Sequence, residues 1–398
     1  MNKRHIKHTR PVNSAQVRHA LESVLTTSLS LNIAGRALDE SLLWDILITA
    51  SVQHTTIEAV CTELEGAPSG NTVREHLGSA LGQSPAAVGD LERRLQRALQ
   101  TQLPHGFRKR LSRQAFDIAI DLVQNPYHGQ PCQDPREVRG GQAKSGTTHF
   151  HTYATLAIVH DHERYELALT FVWGKESLVQ VVERLVKQAR KLGLQIHRAY
   201  LDKGFRGSEI LRWLRRHRIA YVIPVPLSGK ALLALCTGRR SYRTRYTFNS
   251  QMADAYTTDL VIVCKYSAGR RGKHQVDYLV YAVYGVDAIP ELQIHELYRR
   301  RFGIESGYRQ MHQVRARTTS RNPALRLLLV GLALLILNVY LALRQVWLTV
   351  HRYGSRTRRT WLTLKRLGLM LVRLIEHLVG VSGIEQVAHS QIAVKGFS

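Results

Sequence analysis

The feature that most constrains the fold is a nearly continuous apolar run, LRLLLVGLALLILNVYLAL, at residues 325–343. A helix of about 18 apolar residues is long enough to span a membrane. Arg326 and Asn338 interrupt this run, however, and no second run of comparable length accompanies it. We therefore predict a helix that is buried on all sides of a large core, and no membrane partner.

The length and charge of the chain are compatible with such a core and point to a class of partner. With 398 residues the chain can fold without disulfides or structural metals. Its 56 Lys and Arg outnumber its 30 Asp and Glu, giving a formal net charge of +26 that is spread along the sequence. A ribosomal or simply soluble basic protein can carry such a charge. A polyanion such as DNA is the favoured partner, because phosphates bound by Lys and Arg release their counterions.

The cysteines and the N-terminus indicate a cellular compartment. The four cysteines lie far apart and form no C-x-x-C pair, so they suggest neither a zinc site nor a disulfide framework. The basic N-terminal segment MNKRHIKHTRPVNS lacks an apolar stretch, which distinguishes it from a signal peptide. We expect a cytoplasmic, nucleoid-associated protein whose N-terminal arm lies along DNA.

Residues 36–100 have helical periodicity with breaks at HTT and EGAPSGN. Thr55 and Glu58 have the spacing of a capping box at the start of the second helix. Three short helices with tight breaks are typical of a helix-turn-helix, with NTVREHL as the candidate recognition helix, although an ordinary helical bundle fits equally well. We assign residues 1–110 to a basic arm and a helical DNA-binding domain.

From residue 115 the pattern changes to β-structure. In FDIAIDLV, apolar residues alternate with Asp117, Ala119 and Asp121, which predicts a strand with two unlike faces. Strand-like and helical segments then follow in the order strand, strand, helix, strand, helix, strand. This order predicts an α/β fold with a mixed sheet flanked by helices. The fourth strand of the series, LQIHRAYLD, ends at Asp202.

The second half of the chain contains a different β-region. Residues 226–288 place Gly, Ser and Arg between short β-runs, which predicts an inserted antiparallel β subdomain. This insertion divides the core into residues 111–225 and 289–345. Residues 346–398 are predicted to be a C-terminal basic helical region, because the stretch at 355–379 has the periodicity of one basic amphipathic helix.

A helical segment after the insertion, LYRRRFGIESGYRQMH, carries an unusual polar face. At 100° per residue, one arc contains Tyr298, Arg301, Glu305, Tyr308 and His312. By itself, the spacing of Arg301 and Glu305 also fits an ordinary intrahelical ion pair worth a few tenths of a kcal/mol.

Three carboxylates can converge on one edge of the predicted sheet. Asp121 and Asp202 follow strands, and Glu305 lies on the helix. Mg²⁺ and Mn²⁺ prefer oxygen ligands, and paired ions of this kind support phosphodiester chemistry. Asp117 is the rival of Asp121 on the first strand. We prefer Asp121 because it lies at the end of the strand, where a metal ion has access.

The segments IDLVQNPYHG, YLDKGFRG and LYRRRFGIESGYRQMH together resemble the DDE transposases of bacterial and archaeal insertion sequences, whose core is ribonuclease H-like. The group with a β insertion carries Y-x2-R-x3-E-x6-K on the helix of the third carboxylate. The chain matches it with Tyr298, Arg301 and Glu305, but has His312 in place of the lysine. The resemblance covers roughly residues 111–345.

This resemblance implies a DNA transposase that cleaves element ends and joins them to target DNA, using Mg²⁺, for which Mn²⁺ can substitute. Asp121, Asp202 and Glu305 would be the catalytic metal ligands. The implied assembly is a homodimer on two paired DNA ends. Two alternatives are a ribonuclease H-like nuclease or resolvase without strand transfer, and a domesticated DNA-binding protein that has lost its metal.

Several further side chains are predicted to contact DNA. The resemblance places Tyr298 and Arg301 near the element end. Lys203 and Arg206, which follow the second carboxylate, are expected to face phosphates. A protonated His312 can replace the missing lysine, as can either of two arginines on the next turn. These arginines are Arg315 and Arg317.

Overall fold

The computed structural model describes residues 13–103, 105–160, 163–266, 276–300, 310–344, 348–353 and 356–383. The helices are α1 (Ser14–Leu29), α2 (Glu40–Val52), α3 (Ile57–Glu63), α4 (Gly70–Leu81), α5 (Pro85–Thr101), α6 (His105–Arg108), α7 (Leu178–Lys191), α8 (Ser208–Arg216), α9 (Lys230–Leu235), α10 (Glu291–Arg300), α11 (Pro323–Arg344) and α12 (Leu364–Val379). The strands are β1 (Ala115–Pro126), β2 (Arg139–Lys144), β3 (Thr147–His160), β4 (Glu163–Val172), β5 (Gln195–Leu201), β6 (Ala220–Val225), β7 (Tyr242–Phe248), β8 (Tyr256–Tyr266), β9 (Val276–Tyr284), β10 (Leu348–Tyr353) and β11 (Arg356–Trp361).

The first nine of these strands form one mixed sheet in the order β2-β3-β1-β5-β6-β9-β8-β7, with β4 also paired to β3. At its centre β1 is parallel to β5, and β5 is parallel to β6. On the other side of β1, β3 runs antiparallel to it, and β4 runs antiparallel to β3. Helices cover both faces, so the predicted mixed sheet flanked by helices is confirmed.

The alternating pattern of β1 separates the two faces of this sheet, as predicted. Ile118 and Ile120 are fully buried in the core beneath α7 and α8. Asp117 and Asp121 lie on the opposite face, because side chains two residues apart on a strand share a face. On that face Tyr200 of β5 lies in a second apolar cluster with residues of α10.

The predicted β insertion at 226–288 forms antiparallel strands, but these strands do not make a sheet of their own. β9 pairs with β6, β8 with β9, and β7 with β8, so the insertion extends the central sheet. The predicted antiparallel strands are therefore present, as an extension of the central sheet. The domain boundaries themselves stay a prediction.

Helices α1 to α5 share one apolar core with α11 and α12. α11 is long and apolar enough to cross a membrane, but 89% of its most apolar window is buried inside the protein. The predicted core helix is thus confirmed. The capping prediction was displaced by one residue: Thr56, and not Thr55, accepts a hydrogen bond from Ala59 N at 3.2 Å and starts α3. Helices α2 to α4 are present, and their role as a helix-turn-helix stays a prediction.

Strand β4 is attached to the helical core by side chains that bond its backbone. In α11, Asn338 accepts from Glu166 N at 3.0 Å and donates to Glu166 O at 2.8 Å. In α5, Glu92 accepts from Phe171 N at 3.1 Å, while Arg184 of α7 donates to Phe171 O at 2.9 Å. The asparagine that interrupts the apolar run therefore has a defined function in packing α11 against the sheet.

The C-terminal region differs from its prediction. Instead of one helix at 355–379, β10 and β11 form an antiparallel hairpin, and α12 begins only at Leu364. Thr363 ends the hairpin segment by accepting a hydrogen bond from Arg366 N at 3.2 Å, an N-cap that fixes the start of the helix. β-Branched threonines such as Thr357 and Thr360 favour the strand conformation before it.

Candidate active site

Asp121 and Asp202 lie side by side at the ends of two parallel strands. In the β1–β5 pair, Ile120 is the partner of Leu201, and Asp202 N donates to Ile120 O at 3.3 Å. The next residue of each chain segment is one of the two aspartates, and neighbouring strands are about 4.8 Å apart. The pairing that the sequence predicted for these two residues is therefore present in the backbone.

Both aspartates lie on the face of the sheet that α10 covers. Tyr200 donates its hydroxyl to Asp117 at 2.7 Å, which places Tyr200 on the same face as Asp117 and therefore as Asp121. Asp202 follows Tyr200 by two residues. Asp121 is only 5% exposed, whereas Asp202 is half-buried, so the two carboxylates form an edge that is open on the Asp202 side.

Asp121 contacts a buried arginine from β4. Arg164 Nη1 lies 3.5 Å from Asp121 Oδ2, and Arg164 Nη2 donates to Thr155 Oγ1 at 3.1 Å. Arg164 Nε is also 2.6 Å from Glu166 Oε1. All three charged side chains are less than a tenth exposed. The cluster holds two carboxylates and one guanidinium, and burial raises the pKa of Glu166 while Arg164 lowers it.

Sequence reasoning missed this cluster. Arg164 and Glu166 are two residues apart on β4, so they share a face of the strand. A charged pair with that spacing inside an otherwise apolar strand was the one available signal. It was not sufficient, because a strand edge in contact with solvent would explain the same pair equally well. The burial of this pair depends on long-range packing: the backbone N–H of Glu166 donates to Asn338, which is 172 residues away in the sequence.

Asp117, the rival of Asp121, has other partners. His197 Nδ1 lies 2.8 Å from Asp117 Oδ1, and Arg198 Nη1 lies 3.7 Å from Oδ2. The Tyr200 hydroxyl also donates to Oδ2, and burial followed by the charge of Asp117 raises the pKa of Tyr200. Asp117 is thus engaged in a polar network within β1 and β5, as Asp121 is with Arg164, and the choice of Asp121 as the metal ligand stays a prediction.

The third predicted carboxylate, Glu305, lies outside the described residues, as do Arg301 and Tyr308. The described helix α10 ends just before them. Tyr298 of α10 is 3% exposed and donates its hydroxyl to Leu201 O at 3.4 Å. α10 therefore packs against the end of β5, directly before Asp202. Within the described ranges, which omit Glu305, no three His, Cys, Asp or Glu side chains are grouped as a metal site.

Lys203 and Arg206 are exposed beside Asp202, as expected for phosphate contacts. They follow in a short 3₁₀ turn at Lys203–Phe205, and Arg206 Nη1 donates to Lys203 O at 3.3 Å. Both cations are at the open side of the carboxylate edge.

The three residues that could replace the signature lysine differ in their exposure to solvent and in the shift of their pKa. His312 is exposed, yet partial desolvation, Arg315, Lys144 and His54 together lower the pKa of His312 to about 4. It is neutral at pH 7 in the free protein, so the expected cationic phosphate contact is not available there. Arg315 donates to Asn125 of β1, and burial lowers the pKa of this guanidinium. Arg317 is exposed, so it is the better placed of the two arginines to reach a phosphate.

The structure thus has a mixed sheet with an aspartate at the end of each of two adjacent parallel strands, the arrangement that the sequence predicted for the first two carboxylates. A family model described as the transposase DDE domain matches residues 125–339, more than half of the chain. The chain therefore belongs to the DDE transposase family, and the predicted DNA transposase function is confirmed at that level. The matched segment contains Asp202 and Glu305 and begins four residues after Asp121.

A solved structure shows the same fold. It is the cryo-EM structure of a piggyBac transposase synaptic complex with hairpin DNA, with a TM-score of 0.50 and 9% sequence identity. The similarity covers 92% of this chain and 80% of that one. At this identity the likeness concerns the fold alone. Comparison with curated protein sequences gives no match.

Proposed function

We propose that this transposase cleaves the ends of its element and joins them to target DNA at a site made by Asp121, Asp202 and Glu305. The observation that carries the proposal is the register of β1 and β5, which puts the first two carboxylates next to each other. Glu305 follows α10, whose Tyr298 contacts the end of β5. In the sequence, Glu305 is five residues after the end of α10, the helix that packs at this edge.

The donor set fits a hard divalent cation. DDE transposases generally use divalent metal ions, and we propose Mg²⁺, with Mn²⁺ as a substitute, because the available donors are carboxylate oxygens. Asp121, Asp202 and Glu305 would hold the metal. When bound, it supplies activation of the attacking oxygen and stabilisation of the leaving oxygen. In the described part of the chain, the guanidinium of Arg164 is shared between Asp121 and Glu166.

The chain's own residues then have separate tasks. Arg164 fixes the buried Asp121 carboxylate, and Tyr298 fixes the end of the strand before Asp202. Lys203, Arg206 and Arg317 are exposed cations that would bind phosphates of the DNA. Arg301 and His312 remain proposed DNA contacts, with His312 acting as a neutral hydrogen-bonding group at pH 7.

The active assembly we propose is a homodimer on two DNA ends in the cytoplasm, associated with the nucleoid. A net charge of +26 opposes pairing of free chains and favours it once phosphates are present. Measuring the mass of the protein with and without end duplex in Ca²⁺ tests this. Full activity from a complex that contains one chain would contradict the homodimer.

The site is tested by replacing the carboxylates one at a time. Asp121→Asn and Asp202→Asn should keep end-duplex binding but lose metal-dependent cleavage by about a thousandfold, since several kcal/mol of transition-state stabilisation depend on the metal. Asp117→Asn is the matched control on the same face of β1 and should be much milder. Cleavage by Asp202→Asn at the wild-type rate would refute the assignment. Joined products on a target plasmid distinguish transposition from simple nuclease action.

A further inference from the structure

The chain carries a long segment without acidic residues around its C-terminal hairpin. From residue 306 to residue 375 the sequence contains 13 Lys and Arg and no Asp or Glu. Much of this segment is the buried helix α11, so its charge is concentrated at the ends of that helix and in the hairpin and α12 that follow. The basic residues before α11 belong to the proposed active site. The basic residues after α11 have no function assigned so far.

The hairpin of β10 and β11 is a ribbon with basic side chains. Its two strands pair over six residues each, and the pairing in the described chain is with each other and not with the central sheet. Arg358 and Arg359 are both exposed. Because they are adjacent on a strand, they point to opposite faces, so the ribbon presents a cation on each face.

Helix α12 continues this surface. Leu364, Leu367, Leu371 and Ile375 pack into the core formed with α1 and α2, whereas Leu369 and Leu378 are exposed. Lys365, Arg366 and Arg373 are exposed on its outer side. Two of them lie in the first turn, where the helix dipole favours acidic residues and disfavours cations. Among the described residues, no carboxylate forms an ion pair with these three or with the two ribbon arginines. Stability of the helix therefore does not explain their placement.

We propose that the ribbon and the outer side of α12 form a second DNA-binding surface, separate from the carboxylate edge. This "basic ribbon surface" consists of Arg358, Arg359, Lys365, Arg366 and Arg373. A two-stranded ribbon fits the major groove of duplex DNA. Six residues per strand extend about 20 Å, which is roughly six base pairs. The ribbon lies in the groove, and the cations of α12 bind the adjacent phosphates. The inference rests on the proposed function, because it requires that the chain's partner is duplex DNA.

The test measures binding of the full-length protein to a mixed-sequence duplex over a series of salt concentrations. Arg358→Ala/Arg359→Ala should reduce the slope of log affinity against log salt by about 1.8, since each phosphate contact contributes about 0.9. The matched control is Arg190→Ala/Lys191→Ala, which removes the same charge from the exposed C-terminal end of α7. That end lies where β5 begins, away from Asp202, and the control slope should equal the wild-type slope.

A second variant separates binding from folding. Lys365→Ala/Arg366→Ala should also reduce the slope, yet leave the thermal midpoint unchanged or raise it, because it removes cations from the positive end of a helix dipole. A merely structural role would lower the midpoint and leave the slope as it was. Wild-type slopes in both double variants would overturn the inference. Failure of the wild-type protein to bind any duplex would instead refute the proposed function. Loss of binding to anionic vesicles, with duplex binding intact, would assign the surface to membranes and also overturn the inference.

Discussion

Replacing Arg164 by methionine should strongly destabilise the protein, because it removes the one guanidinium from a buried group of charges. Arg164 lies 3.5 Å from Asp121 Oδ2 and 2.6 Å from Glu166 Oε1, and its side chain is 6% exposed. An exposed ion pair would be worth about 0–1 kcal/mol. Removing one partner of a buried ion pair typically costs about 3–5 kcal/mol of the free energy of unfolding, and this is the expected loss. That is a large part of the roughly 5–15 kcal/mol typical of folded domains.

The assay is urea denaturation of the full-length protein, with two comparisons that isolate the charge. Arg164→Lys keeps a cation and should lose less stability than Arg164→Met. The double variant Arg164→Met/Glu166→Met should recover most of the loss, because it removes the guanidinium together with the carboxylate that lies closest to it. Millimolar Ca²⁺ should stabilise Arg164→Met more than the wild type, since a divalent ion can replace the missing charge near Asp121. A loss below about 1 kcal/mol, with no recovery in the double variant, would refute the reasoning.

Three further predictions concern packing and titration. Gly331→Ala should lower the free energy of unfolding by about 1–3 kcal/mol, because a Cβ on α11 would lie 2.3 Å from a methyl carbon of Leu95. Gly78→Ala on α4 is the control: its Cβ meets no atom within 4 Å, so the change should be neutral or stabilising. Urea midpoints of the two variants test this. Burial raises the folded-state pKa of Glu92 above its usual value. The contribution of Glu92 to stability is therefore lost as the pH rises from the unfolded-state pKa through the folded-state pKa. Glu92→Gln should flatten the pH dependence of the unfolding free energy in that window, and an unchanged curve would contradict this prediction. His312 should titrate near pH 4 by NMR, and a midpoint near its ordinary pKa would show that its neighbours do not affect it.

The sequence was sufficient to predict the strands and the two aspartates at their ends, because both depend on local pattern. Strand β1 alternates with period two, and Asp121 and Asp202 each end a strand, so parallel pairing of those strands necessarily brings the two residues together. The burial of α11 followed from its composition. The environment of Arg164 did not follow, because its partner Asp121 lies on β1, 43 residues away in the sequence.

Two features of the fold depend on how strands pair. The stretch at 355–379 has an amphipathic helical period, but the threonine-rich segment before Thr363 gains its strand conformation by pairing with β10, which a local pattern does not reveal. The strands at 226–288 were predicted correctly as strands. Their continuity with β6 depends on a pairing between Tyr221 and Tyr284, and the sequence gives no signal for the choice between joining a sheet and forming a new one.

The backbone contacts of β4 also decide where another chain can add a strand to the sheet. At Glu166 and Phe171 the outward N–H and C=O groups are occupied by side chains of Asn338, Glu92 and Arg184. An edge strand without such occupation is a template for pairing with a foreign strand, and proteins commonly block it. Continuous β-augmentation along β4 is therefore blocked. Any assembly in which sheets of two chains join edge to edge must use another strand, and at the far end of the sheet that strand is β7.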